Sequence, residues 1–174
     1  YGNNATDRSI TLSQVFANES NLVHAFLLNE SSGNAIDYVG STNGTVSGAT
    51  QGVTGQIAQA YQFDGNDEVK IDPDNAPRGA NARTVMCWEN ADNSAAQNMN
   101  MVSWGGNASG RRFSFMKRIG GGGYAIIGKF QDLKFFGLGD TGTWHHAVAT
   151  YDGTTGKLFQ DGSEVGSANL NLNT

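Results

Sequence analysis

The chain has 174 residues and is 38% apolar, which suits one domain with a real hydrophobic core. Its 16 acidic and 11 basic side chains leave a formal charge of −5, which argues against a nucleic-acid partner, since such proteins usually present a basic face. With 24 Gly, 2 Pro and Cys87 as its only cysteine, the composition favours turns and strands over helices and excludes an intramolecular disulfide. No apolar run is long enough to span a membrane.

Taken in chain order, residues 1–8 form a polar tail. Residues 9–16 (SITLSQVF) read as a short strand, with Ile10 and Leu12 on one side and Thr11 and Ser13 on the other. Residues 22–28 (LVHAFLL) are apolar almost throughout and read as a buried strand. The Gly-, Ser-, Thr- and Asn-rich stretch 33–56 reads as loop with short edge strands. Further strands are expected at IAQAYQF (57–63), EVKI (68–71), RTVMCWE (83–89), MVSW (101–104) and RRFSFMKR (111–118). They continue at YAIIGKF (124–130), LKFF (133–136), HHAVATY (145–151) and KLFQ (157–160). Turn signals separate them, among them Asp-Gly at 152–153 and 161–162. Many short strands at this spacing indicate a sandwich or barrel.

Several motifs tempt a catalytic or metal reading. GLGDTG at 137–142 matches a dinucleotide fingerprint, but the residues that follow read as a strand where that chemistry needs a helix N-terminus. Asp140-Thr141-Gly142 is a single copy of a motif whose chemistry needs two carboxylates. His145 and His146 are strand neighbours and point to opposite faces, so they cannot chelate one metal together. Glu89 and Asp92 come nearest to an acid pair for glycoside hydrolysis and are expected to face solvent. The oxygen-rich loop of Asp64, Asn66 and Asp67 is one candidate calcium site, and Asp37 with its neighbouring loop carbonyls is a second; Asp-Gly turns without metal are the commoner case. Trp88, Trp104 and Trp144 offer aromatic faces for sugar stacking, with core packing as the default. Sequons stand at Asn4, Asn18, Asn29, Asn43 and Asn107.

The segments LVHAFLLNESSGNAIDYVGSTNGTVSGAT, AQAYQFDGNDEVKI, RTVMCWEN, MVSWGG and GTWHHAVATYDGTTGKLFQDGSEVGS, in that order, resemble the laminin-G-like jelly-roll domains of the concanavalin A-like lectin/glucanase superfamily. The most specific piece runs from Trp144 to Gly162. The resemblance covers roughly residues 22–167. It implies an all-β, two-sheet antiparallel jelly-roll sandwich over residues 21–174, preceded by an N-terminal extension, residues 1–20. It also implies that Trp88, Trp144 and Phe63 pack in the core and that the Asp-Gly pairs turn hairpins. Members of the family continue past the K-L-F-x-D-G hairpin, so the jelly roll is expected to be incomplete at its C-terminal end. The glycosidase branch carries E-x-D-x-x-E, which has no match here, so hydrolysis does not transfer.

The function this implies is an extracellular, non-catalytic module for binding or adhesion, with a glycan or an extracellular protein as partner and calcium as a candidate cofactor. The candidate contact residues are Trp104, Asn107, Arg111 and Arg112, which join an aromatic face to hydroxyl-binding donors. The alternative is a structural subunit of a filament, appendage or virion surface, self-assembled by strand donation from residues 9–16. Either places the chain outside the cell, at the cell surface or on a virion.

Overall fold

A computed structural model of the chain describes residues 19–72, 75–92, 98–118, 122–137 and 141–174. The fold is all-β, with four antiparallel sheets and no helix among the described residues. The expected strand at 9–16, and most of the expected extension over 1–20, lie outside the described residues.

The chain divides into two compact units, residues 1–75 and 76–174. In the first, β1 (Thr45–Ser47) pairs with β4 (Glu68–Lys70), and β2 (Thr50–Thr54) pairs with β3 (Gln59–Gln62). The apolar run LVHAFLL is not a strand here. Its one ladder contact is an isolated bridge from Phe26 to Asp37, Leu28 takes a positive φ of 53°, and Val23 and Leu27 are exposed. Beside that bridge Ala25 C=O accepts from Tyr38 N–H, while Ala25 N–H is taken by the Asp37 carboxylate in place of a strand partner.

The second unit is a sandwich of two four-stranded antiparallel sheets. The first sheet has the order β12-β11-β10-β5, formed by β5 (Arg83–Glu89), β10 (His145–Tyr151), β11 (Thr155–Gln160) and β12 (Ser163–Asn169). The second has the order β6-β7-β8-β9, formed by β6 (Met99–Gly105), β7 (Arg112–Lys117), β8 (Tyr124–Ile127) and β9 (Asp132–Lys134). Their facing sides make one core of Phe113, Phe115, Tyr124, Ile126, Leu133, Ala147, Ala149, Tyr151, Leu158, Leu170 and Leu172. The three inward alanine and leucine positions on β10 and β11 leave room for the rings of β7 and β8, which is how a sandwich of this thickness fills.

The sandwich interior carries a buried cation toward each end of β5. Arg83 lies at its start and Glu89, paired to Lys117, at its finish. Six residues of extended chain separate Arg83 from Glu89, roughly 20 Å. The Asp161-Gly162 turn, with φ of 50° and 83°, closes the β11–β12 hairpin as expected of that dipeptide.

Candidate functional site

Period-2 alternation decides what each strand of the first sheet shows to the outside. On β5, Val85 and Cys87 turn toward the core, so Thr84, Met86 and Trp88 turn outward. Cross-strand register then sets Trp88 opposite His146, Met86 opposite Val148, and Val148 opposite Phe159, which in turn faces Glu164. The result is a band of apolar and aromatic side chains across the strands. Met86 is 59% exposed and Trp88 46% exposed. The Trp88 and His146 rings lie 5.4 Å apart. Thr84, Thr150 and the Lys157–Glu164 ion pair, at 2.9 Å, supply polar neighbours.

Two expectations are corrected by this parity and a third by position. Trp88 is not a core residue, and Glu89, expected at the solvent, faces inward. Its carboxylate accepts from Lys117 Nζ at 2.9 Å and from Tyr124 Oη at 2.6 Å. Phe63, also expected in the core, lies past the end of β3 and is 44% exposed. Trp144 is half-buried. Trp104 is half-buried: its ring lies tilted against Phe113 at 4.7 Å and its indole N–H donates to Pro77 C=O at 3.0 Å. Arg111 and Asn107 are exposed, and Arg112 donates to Asn107 Oδ1 at 3.1 Å.

The calcium candidates are engaged within the protein. Asp37 Oδ2 pairs with His24 Nδ1 at 2.6 Å, and Oδ1 accepts from the N–H groups of Ala25, Val39 and Gly40. Asp67 Oδ2 accepts from Asp64 N–H at 2.8 Å, and Asp64 Oδ1 from Asn66 N–H at 3.4 Å, so these side chains brace their own turn. Among the described residues no three His, Cys, Asp or Glu side chains gather as a metal set. Asn43 is exposed and accepts from Asp37 N–H, Asn29 is half-buried, and Asn4 and Asn18 lie outside the described residues. Asp140 also lies outside them. Cys87 is pushed up to about 12 by burial, with the nearby Glu89 adding to the effect, so it is an inert thiol.

Thr143 Oγ1, His145 and Asp161 lie in line, with Thr143 to His145 Nε2 at 3.0 Å and His145 Nδ1 to Asp161 Oδ2 at 2.7 Å. Asp161 also takes His146 N–H at 2.8 Å and returns its own N–H to His146 C=O. Those reciprocal bonds make it a clamp between a hairpin turn and the start of β10.

Burial alone would raise the Asp37 carboxyl; the His24 ring and the three backbone N–H groups outweigh it and hold the group below its usual range. A carboxyl lowered on folding contributes stability above its unfolded value of about 3.9, and that contribution is lost as pH falls through the folded value. The urea midpoint is therefore expected to fall between about pH 5 and pH 3, with a shallower fall in Asp37→Asn. Equal slopes in the two proteins would show that Asp37 does not carry the dependence.

The two facing antiparallel sheets of the second unit are consistent with an all-β sandwich of the concanavalin A-like type. A laminin-G-like profile described as the concanavalin A-like lectin/glucanases superfamily matches residues 63–174, and the chain belongs to that family. Membership points to a carbohydrate- or protein-binding module; such domains are in general non-catalytic, while the superfamily also includes glycosidases. No curated protein and no solved structure matches the chain.

Proposed function

We propose that this chain is a non-catalytic, extracellular or surface-borne module that binds glycans, and that the outer face of the β12-β11-β10-β5 sheet is where a sugar chain lies. The observation that supports this is the half-exposed Trp88 set beside Met86 and His146 on a regular sheet. A pyranose ring stacks its C–H face on an indole, while the flanking threonines and the Lys157–Glu164 pair serve its hydroxyls. The exposed sequons Asn43 and Asn107 fit a chain made in a secretory compartment that glycosylates.

A glycan array, run with and without calcium, tests the reading. Trp88→Ala is expected to lower binding at least tenfold with the fold intact, since a central tryptophan commonly contributes about 2 kcal/mol or more. Binding unchanged in Trp88→Ala, or an array with no hits, would refute it. A second reading, self-assembly as a structural subunit through residues 9–16, draws support from β5. Its outer edge has no ladder partner among the described residues, and it carries apolar side chains on both faces. Light scattering on the array samples separates the two: polymers lost on deleting residues 1–16 support assembly, and a monomer at high concentration sinks it.

A further inference from the structure

One end of the second unit is built from three backbone segments bound to each other. In the β6–β7 loop, Gly106 N–H donates to Arg111 C=O at 2.7 Å and Arg111 N–H to Ala108 C=O at 2.9 Å. Gly110 N–H then donates to Gly128 C=O at 2.7 Å in the β8–β9 turn, with Lys129 C=O at 3.2 Å, and Gly110 C=O accepts from Asn173 N–H at 2.8 Å. The approach is close enough that a Cβ at Gly110 would stand 2.5 Å from Asn171 O, and one at Gly128 2.4 Å from Gln131 O. The loops are thus locked together as a preorganised platform.

The turn itself is strained. Gly128 N–H bonds Gln131 C=O at 3.1 Å, leaving Lys129 and Phe130 as the two central residues, at φ 56° and 69°. A two-residue turn with both φ positive is the place for Asn-Gly, and a phenylalanine there is an outlier. Packing does not compensate, because Phe130 is 78% exposed; among the described residues its ring contact is Lys129 Nζ, 5.4 Å from the centroid. Strain of this kind clusters at binding sites.

The charges on the same loops are also unusual. Lys70, Lys117, Lys134 and Lys157 each pair with a carboxylate, Lys134 with Asp132 at the foot of this turn. Among the described residues, Arg111, Arg112 and Lys129 make no ion pair. In a chain of net charge −5, Arg111 and Lys129 stand on two hydrogen-bonded loops, Arg112 opens β7 directly after the first, and the exposed Phe130 follows Lys129 on the second.

We propose that the paired loops around Arg111, Arg112, Lys129 and Phe130 bind an acidic polysaccharide, the cations taking its sulfate or carboxylate groups and Phe130 the apolar face of a sugar ring. This rests on the glycan-binding reading and adds a second, charge-selective contact to it. The test is titration calorimetry with dextran sulfate, polygalacturonate and neutral dextran at low and high salt, beside the glycan array. Acidic chains bind, the affinity falls with salt, and Arg111→Ala/Arg112→Ala/Lys129→Ala loses at least tenfold and most of the salt dependence. Phe130→Gly loses severalfold while melting higher than the wild type, which separates lost contact from lost fold. Lys70→Ala, a cation removed elsewhere, stays within twofold. Acidic binding that is insensitive to salt, or unchanged in the triple variant, overturns the proposal. Array hits on neutral glycans without acidic binding overturn it and leave the Trp88 surface standing; no glycan binding at all sinks both. Uptake by phosphatidylserine vesicles that needs Phe130, without acidic glycan binding, overturns it in favour of a lipid surface.

Discussion

Lys117→Met is expected to destabilise the second unit by about 3–5 kcal/mol, the cost of leaving one member of a buried ion pair without the other. The Lys117 side chain is 3% exposed and that of Glu89 10%, so water does little to screen the pair. Glu89 would keep the Tyr124 hydroxyl as a donor but lose its counter-charge. Burial, reinforced by Glu89, pushes the Tyr124 hydroxyl far above its ordinary range, so it remains a neutral donor and cannot substitute for the ammonium. The pair as a whole is a different matter, because two desolvated charges can cost as much as their attraction returns. Replacing the whole group, as Glu89→Leu/Lys117→Met/Tyr124→Phe, is therefore expected to recover most of the loss. Urea titrations with linear extrapolation would measure both. A loss below about 1 kcal/mol for Lys117→Met would show that the pair is solvated, as exposed pairs are.

The same residues show what the sequence could and could not reveal. RTVMCWE and HHAVATY were legible to the residue as β5 and β10, since both are short, apolar and bounded by turn residues. Which face of β5 turns inward was not legible. Val85, Met86, Cys87 and Trp88 are all hydrophobic, so period 2 has no polar phase to mark the solvent side. Defaults then put Trp88 inside and Glu89 outside, and both are reversed. The partners that let Glu89 turn inward stand 28 and 35 residues away, beyond any local pattern. β12 was missed for the opposite reason: SEVGSAN is polar and small, and it becomes a strand because the Asp161-Gly162 turn lays it along β11. LVHAFLL has the composition of a strand, but its pairing stops at the Phe26–Asp37 bridge and the Ala25 N–H goes to the Asp37 carboxylate. Asn107, Arg111 and Arg112 were read as a group because they are close in sequence. Lys129 and Phe130 were read as strand, because neither is among the Asn, Asp or Gly residues that normally occupy the two central positions of such a turn.

Arg83→Lys is expected to cost about 2–4 kcal/mol although it keeps the charge. The guanidinium is buried and has no carboxylate partner among the described residues. Its fork is used in three directions: Nε to Asn81 C=O at 2.9 Å, Nη1 to Thr174 Oγ1 at 2.7 Å, and Nη2 to Gly79 C=O at 2.7 Å. Its plane lies 5.4–5.7 Å from the rings of Tyr151, Phe113 and Trp104. Each ring attracts a cation by about 0.5–2 kcal/mol, and the attraction grows with desolvation. An ammonium is a compact, strongly hydrated charge that cannot reach three acceptors spread around a planar fork, so lysine keeps the desolvation cost and loses most of what offsets it. Arg83→Met removes the charge and fills part of the volume. Gly79 C=O still accepts from Thr174, leaving Asn81 C=O as the main loss. Methionine is therefore expected to be the milder substitution. Either change weakens the tie between the 79–81 turn and Thr174 to its backbone bonds and the threonine hydroxyl, close to the buried Leu170 and Leu172, so amide exchange should rise there first. If lysine proves milder than methionine, the rings and the bare charge outweigh the fork, and Arg83 is held by its aromatic neighbours more than by its hydrogen bonds.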